Sequence, residues 1–215
     1  IRDHCVTGVQ TCALPISLRI AGVKKKGVML DPFSGSGTIP IECAHFASGR
    51  SLHAFNREKL AFTRFMEYDF DKDDSAVTAS LDIQINAFDS QMRHIKSAEK
   101  NAKISGINQH IRFSRTEVDW LDTKFEEKSV DWIVTNPPQL SKFTAEKEIS
   151  AIYDEFFYQA SFVLSKKGRI VVVSTEGRSD VMLAASAEKK GMKQKGVHKM
   201  LHGKQTEHLL VFERG

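Results

Sequence analysis

A chain of 215 residues, 41% hydrophobic and 27% charged, carries enough apolar side chains to bury one core, and this balance excludes a disordered polyelectrolyte or a fibrous repeat. No stretch approaches the roughly 20 apolar residues of a membrane-spanning helix, so the cytoplasm is the expected compartment. The formal net charge of +4 suits a polyanionic partner without requiring one, and the three cysteines, Cys5, Cys12 and Cys43, lack metal-ligand spacing and an even count for disulfides.

Residues 6–16 (VTGVQTCALPI) show neither a helical nor a strand period. They resemble a sequencing adapter translated in frame, of the kind found at the ends of metagenomic gene fragments. A native N-terminal strand or a weak signal peptide is the poorer reading, the latter because residues 1–5 (IRDHC) lack a basic leader and no long apolar run follows. Residues 1–16 are therefore set apart from fold reasoning as non-native. The expectation is one domain over residues 17–215, with native sequence lost upstream.

Residues 27–31 (GVMLD), between a lysine run and Pro32, predict a buried strand, followed by a glycine-bearing turn at 33–37 and a helix over 38–47. Residues 49–80, with the acid-rich FDKDDS, are polar and irregular and read as an insertion. Residues 83–89 (IQINAFD) alternate as a strand. Residues 92–105 have helical spacing and end before Gly106, a residue suited to a helix C-cap. Strands are predicted over 111–117 and 130–135 (VDWIVT), the second running into Asn136-Pro137-Pro138. A helix over 149–164 carries Tyr153, Phe156, Phe157 and Phe162, all read as core packing. Residues 169–174 (RIVVVS) form a continuous apolar run, as in a central strand covered on both faces. A helix over 180–190 and two strands, 193–200 and 206–213, complete the chain, the strands as an antiparallel hairpin at the sheet edge. Strands alternating with helices predict an α/β fold: a doubly wound, mostly parallel sheet of seven strands.

Three strand ends carry candidate chemistry. In Asp31-Pro32-Phe33-Ser34-Gly35-Ser36-Gly37-Thr38, two glycines at a strand-to-helix crossing let the backbone approach a ligand near free helix N–H groups. A Walker loop is excluded by Thr38-Ile39, where Lys and Ser or Thr would be needed. A dinucleotide fingerprint lacks its third glycine, replaced by Pro40. Asp89 closes the second strand, where a carboxylate can accept hydrogen bonds from ribose hydroxyls. Asn136 and Pro137 close the fourth and offer two hydrogen-bond acceptors, a side-chain oxygen and a backbone carbonyl. An Asn-Pro-Pro turn that only stops a strand is the plainer alternative. Cys43, on the apolar side of the first predicted helix, reads as core.

The string DPFSGSGT, followed by Ile41 and Glu42, resembles the S-adenosylmethionine loop of class I methyltransferases, in the form found in RNA methyltransferases that carry a THUMP domain. Thr135-Asn136-Pro137-Pro138 resembles the N-P-P-Y/F motif of amino-methyltransferases. Over residues 17–215 the chain is thus similar to the catalytic domain of THUMP-associated guanine-N2 methyltransferases, though only these two motifs are specific. This resemblance implies a Rossmann-like methyltransferase sheet, S-adenosylmethionine as cofactor, no metal, and RNA as partner, tRNA ahead of rRNA. Asp31, Pro32, Gly35, Ser36, Gly37 and Thr38 would hold the cofactor, with Asp31 toward the methionine ammonium and Asp89 on the ribose. Glu42 is open between a role there and a plain helix acid. Glu117 or Asp119 would face the adenine amine, Glu117 being favoured. Asn136, Pro137 and Pro138 would be catalytic. Related enzymes carry an insertion with a segment like Asn56-Arg57-Glu58-Lys59-Leu60, and an RNA-binding domain that usually precedes the catalytic one. The chain departs from the pattern where the family has an aromatic after the two prolines: Gln139 stands there, with Phe143 nearby, and both are assigned to the base. An adenine-amine or protein glutamine methyltransferase, or a cofactor-binding domain without catalysis, are the competing readings.

Overall fold

The computed structural model describes residues 13–49, 61–67, 69, 81–141, 144–202 and 205–215. The adapter-like residues 6–12, the 56–60 segment, the FDKDDS run and Phe143 lie outside them. Helix α1 (Ala13–Ala21) leads into β1 (Lys26–Asp31) and α2 (Thr38–Ser48). Then come β2 (Asp82–Asp89), α3 (Met92–Ile104), β3 (Ile111–Arg115) and β4 (Val130–Thr135). The chain closes with α4 (Glu146–Val163), β5 (Leu164–Thr175), α5 (Arg178–Lys189), β6 (Met192–His202) and β7 (Gln205–Arg214).

These strands form one seven-stranded sheet in the order β3-β2-β1-β4-β5-β7-β6. The first five are parallel, while β7 runs antiparallel to both β5 and β6. Because side chains alternate across a strand, each strand feeds two cores. Met29, Ile85, Val134, Val171 and Leu209 join α1 and α2 on one face. Leu30, Phe88, Ile133, Ile170, Val172 and Phe212 join α4 and α5 on the other. Two covered faces explain why the central strands read as unbroken apolar runs. In the second core Phe157 packs edge-on against Phe212 with ring centroids 5.1 Å apart.

The expected architecture is the observed one, with local corrections. Strand β3 stops at Arg115, not at residue 117, because the chain turns into a short 3-10 helix, Val118–Thr123, with Glu117 at its N-cap. Strand β5 starts at Leu164, which pairs with Val130 ahead of an irregularity in the β4 ladder. Phe162 is 40% exposed and is not core: at 3.6 residues per turn it points away from the face made by Tyr153, Phe156, Phe157 and Ala160. Helix α1 begins inside the segment set apart as adapter-like, and its Leu18 and Ala21 belong to the core. Pro40 is tolerated in the first turn of α2, where its missing N–H has no intrahelical acceptor to lose. Among the described residues no helix is long and apolar enough to cross a membrane.

Candidate active site at the carboxyl edge of the sheet

Strand β1 lies between β2 and β4, so the connections after β1 and β4 diverge to opposite faces. At such a switch point a parallel sheet leaves a crevice beyond the strand ends. A cleft of about 880 Å³ opens there. The turn after β1 contributes Pro32, Phe33 and Gly35; the end of β2 and the start of α3 contribute Asp89, Ser90, Gln91 and His94. Glu117, Val118 and Asp119 follow β3, Asn136 to Gln139 follow β4, and Ala151, Ile152 and Glu155 of α4 close the far wall.

The two glycines do different work. Both adopt left-handed backbone, with φ 52° at Gly35 and 83° at Gly37, a region that costs an L-residue with a Cβ. Gly35 faces open space, since a Cβ there would meet nothing within 4 Å. Gly37 faces α3, where an added Cβ would come within 2.7 Å of the Ala98 Cβ. That contact draws the start of α2 against α3. Ser36, Gly37 and Thr38, expected to hold the cofactor, do not line the cleft. The Ser36 carbonyl instead accepts the Asn101 side-chain N–H at 2.9 Å, and the Ser36 and Thr38 hydroxyls pair at 3.1 Å.

Asp31 and Asp89 repeat one device. Each carboxylate accepts the N–H two residues on, Phe33 at 3.2 Å and Gln91 at 2.8 Å, in the Asx-turn manner. Each then reaches a neighbouring strand end. The second Asp89 oxygen accepts the Gly35 N–H at 3.0 Å, tying the glycine turn to β2, while His94 Nδ1 lies 3.0 Å from the first. Asp31 accepts the Thr135 hydroxyl at 2.6 Å, tying the glycine turn to the residue before Asn136. Asp31 is 1% exposed and lies beneath the cleft without lining it. Burial, with the nearby Asp89 charge adding to it, pushes its carboxyl up to about 7 against the pull of Thr135 and Phe33.

After β4, Asn136 and Pro138 are exposed while Pro137 is buried. The Pro138 carbonyl accepts the buried Tyr153 hydroxyl at 2.8 Å, and the Leu140 N–H donates to Ser179 Oγ at 3.1 Å, so α4 and α5 both hold the segment. Gln139 turns inward. Its Nε2 donates to the Pro137 carbonyl at 2.9 Å, to the Val173 carbonyl at 3.3 Å and, more distantly, to Asn136 Oδ1 at 3.4 Å. Glu117 and Asp119 are both exposed and both line the cleft, so the structure does not choose between them.

Of the predicted site residues, Pro32, Gly35, Asp89, Glu117, Asp119, Asn136, Pro137, Pro138 and Gln139 come together in this one cleft. Glu42 is buried and not an exposed helix acid, and its carboxyl is raised by desolvation. Cys43 is fully buried and burial pushes its thiol up to about 12, which rules out a ready thiolate nucleophile. Sequence reasoning missed His94, Ile152 and Glu155. A histidine five residues past Asp89 at the start of a helix was the available signal for the first. The α4 pair sat in a stretch read only as core. Among the described residues no group of three or more His, Cys, Asp or Glu is arranged to hold a metal.

The chain is 29% identical over 160 residues to the tRNA (guanine(6)-N2)-methyltransferase of Methanocaldococcus jannaschii, covering 72% of this chain and 41% of that protein. It is 26% identical over 175 residues to the protein of the same name from Archaeoglobus fulgidus, covering 81% and 41%. A ribosomal RNA large subunit methyltransferase K/L from Alcanivorax borkumensis matches at 26% over 173 residues, 76% of this chain and 23% of that protein. The chain thus spans well under half the length of these relatives. Among solved structures, TrmN from Thermus thermophilus superposes with TM-score 0.68 at 22% identity, covering 96% of this chain and 52% of that one. SMU.472 complexed with SAH superposes with TM-score 0.78 at 18% identity, covering 96% and 53%. At these identities both likenesses concern the fold. The family whose description is "RMKL-like, methyltransferase domain" matches residues 13–207, and this chain belongs to it.

Proposed function

We propose that this chain transfers a methyl group from S-adenosylmethionine to the exocyclic amine of a base in structured RNA, guanine N2 in tRNA before others. One observation carries the reading: the acceptors of Asn136 and Pro137 belong to the same cleft as the Gly35 turn and Asp89. The relatives that methylate guanine N2 in tRNA, by name, support the substrate class.

The residues fit the cofactor. A cleft of about 880 Å³ is in the range of ligand sites, and a cationic ligand would relieve the repulsion between Asp31 and Asp89. Pro32 and Gly35 border the methionine side in this reading, with Ser36, Gly37 and Thr38 shaping the turn from behind. Asp31 acts on the ammonium indirectly, through the Phe33 backbone it holds. Asp89 keeps lone pairs for the ribose, and Glu117 or Asp119 takes the adenine amine. The cofactor, when bound, supplies an activated methyl on sulfur, so the protein's task is positioning.

An amine conjugated to a purine ring is a weak nucleophile. Asn136 Oδ1 and the Pro137 carbonyl each accept one of its N–H groups, which orients the nitrogen toward the methyl carbon. The cofactor would supply the methyl carbon and keep the C–S bonding pair on sulfur, while the positive charge developing on the nitrogen would strengthen the hydrogen bonds to Asn136 Oδ1 and the Pro137 carbonyl. Stabilisation is therefore greatest in the transition state. The proton then leaves the nitrogen for solvent. Pro138 holds the pair rigid, and Phe33 and Ile152 offer apolar surface to a base alongside Gln139.

A methyl-transfer assay on unmodified tRNA, DNA and release factor tests the reading. Transfer to guanine N2 of tRNA is expected, with Asn136→Ala lowering kcat by about 10²- to 10³-fold while the cofactor Kd stays within about twofold. Turnover untouched by that substitution, or transfer confined to DNA or protein, would overturn it.

A further inference from the structure

We propose that Gln139 is a built-in occupant of the amine subsite and thereby sets which substrates enter it; this rests on Asn136 and Pro137 being the amine's acceptors. The Gln139 carboxamide nitrogen already lies on them, 2.9 Å from the Pro137 carbonyl and 3.4 Å from Asn136 Oδ1. The orientation of the amide is settled by its neighbours. Nε2 also faces the Val173 carbonyl at 3.3 Å, which can only accept. Oε1 accepts the Ser174 hydroxyl at 3.1 Å and faces the Thr175 N–H at 3.5 Å, which can only donate. Swapping the two ends would set donor against donor and acceptor against acceptor.

A primary carboxamide nitrogen is a close mimic of a base amine. Both are planar, carry two N–H groups and have a lone pair delocalised into a neighbouring π system. A phenylalanine at this position could stack on a base but has no N–H to offer the pair. Gln139 thus competes, as a tethered ligand at high effective concentration, with every incoming amine. Only a substrate whose remaining contacts hold it firmly displaces the amide. Once displaced, the Gln139 side chain stays at the cleft wall, where it can hydrogen-bond the edge of the base it admitted.

Two measurements test this on the whole 215-residue chain. With ¹⁵N-labelled glutamine side chains, and Gln139→Ala to assign the signal, the Gln139 amide pair should exchange with water more slowly than that of the exposed Gln91 and Gln194. In the methyl-transfer assay on unmodified tRNA, Gln139→Ala should lower KM roughly 5- to 30-fold, the factor for freeing two acceptors, with cofactor Kd unchanged. A merely structural Gln139 would instead give an unchanged or higher KM and a lower thermal midpoint, which overturns the proposal, as does an amide exchanging like the exposed ones. If neither protein methylates RNA, the proposed function fails, and the exchange measurement alone still decides whether Gln139 occupies the pair.

Discussion

Asp31 shows how much one buried carboxyl can do from beneath a cleft. It bonds Thr135 and the Phe33 backbone, and so sets the distance between the glycine turn and Asn136. Its charge is costly there. The ordinary value of 3.8 applies to the unfolded chain, and the folded value is about 7. Between these pH values the folded chain keeps a proton that the unfolded chain has lost. Stability from this group is therefore full below about pH 4 and falls as pH rises toward 7, by roughly 4 kcal/mol at most. Asp31→Asn keeps an oxygen for both hydrogen bonds but cannot ionise. The variant should gain stability relative to the parent between pH 5 and pH 8 in urea titrations. Curves that stay parallel across that range would contradict the buried charge.

At the scale of elements, the turn between β1 and α2 is organised by contact with α3 as much as by its own glycines. Gly37 needs both left-handed backbone and the absence of a Cβ, because Ala98 fills the space. Gly35 needs only the backbone freedom. Gly37→Ala should cost about 2–4 kcal/mol, combining the backbone penalty with overpacking, whereas Gly35→Ala should cost about 1–2 kcal/mol. Urea midpoints of the two variants test the order, and equal losses would mean that α3 yields freely. Gly35→Ala should nonetheless weaken cofactor binding, since its Cβ would enter the cleft.

For the whole molecule, a sheet with both faces covered leaves binding chemistry to the carboxyl edge. The net charge of +4 is modest, and exposed Lys193, Lys195 and Lys199 lie along the edge strand β6, where they also discourage strand-to-strand aggregation. With a net charge of only +4, these 215 residues are expected to bind tRNA with a Kd of about 10⁻⁶ M or weaker, falling steeply with salt. Filter binding at two salt concentrations checks this, and nanomolar affinity at physiological salt would show that the catalytic domain carries its own RNA-binding surface.

The local sequence determined the elements and two of the strand-end motifs. Alternation in β2, the unbroken run in β5 and the glycine string after β1 each encode a period or a turn, and both are properties of a few consecutive residues. Phe162 and the end of β3 were misread because a side chain's outward tilt and a strand's last pairing depend on what packs alongside. Only the tertiary structure could decide that Asp31 meets Thr135, that Asp89 holds Gly35, and that Gln139 turns onto Pro137 beside Val173. The first two pairs are 104 and 54 residues apart and depend on strand order and register, and the third depends on which carbonyls the loop after β4 is pressed against. Sequence patterns specify which groups are available, while the packing of two cores on one sheet specifies which of them face each other.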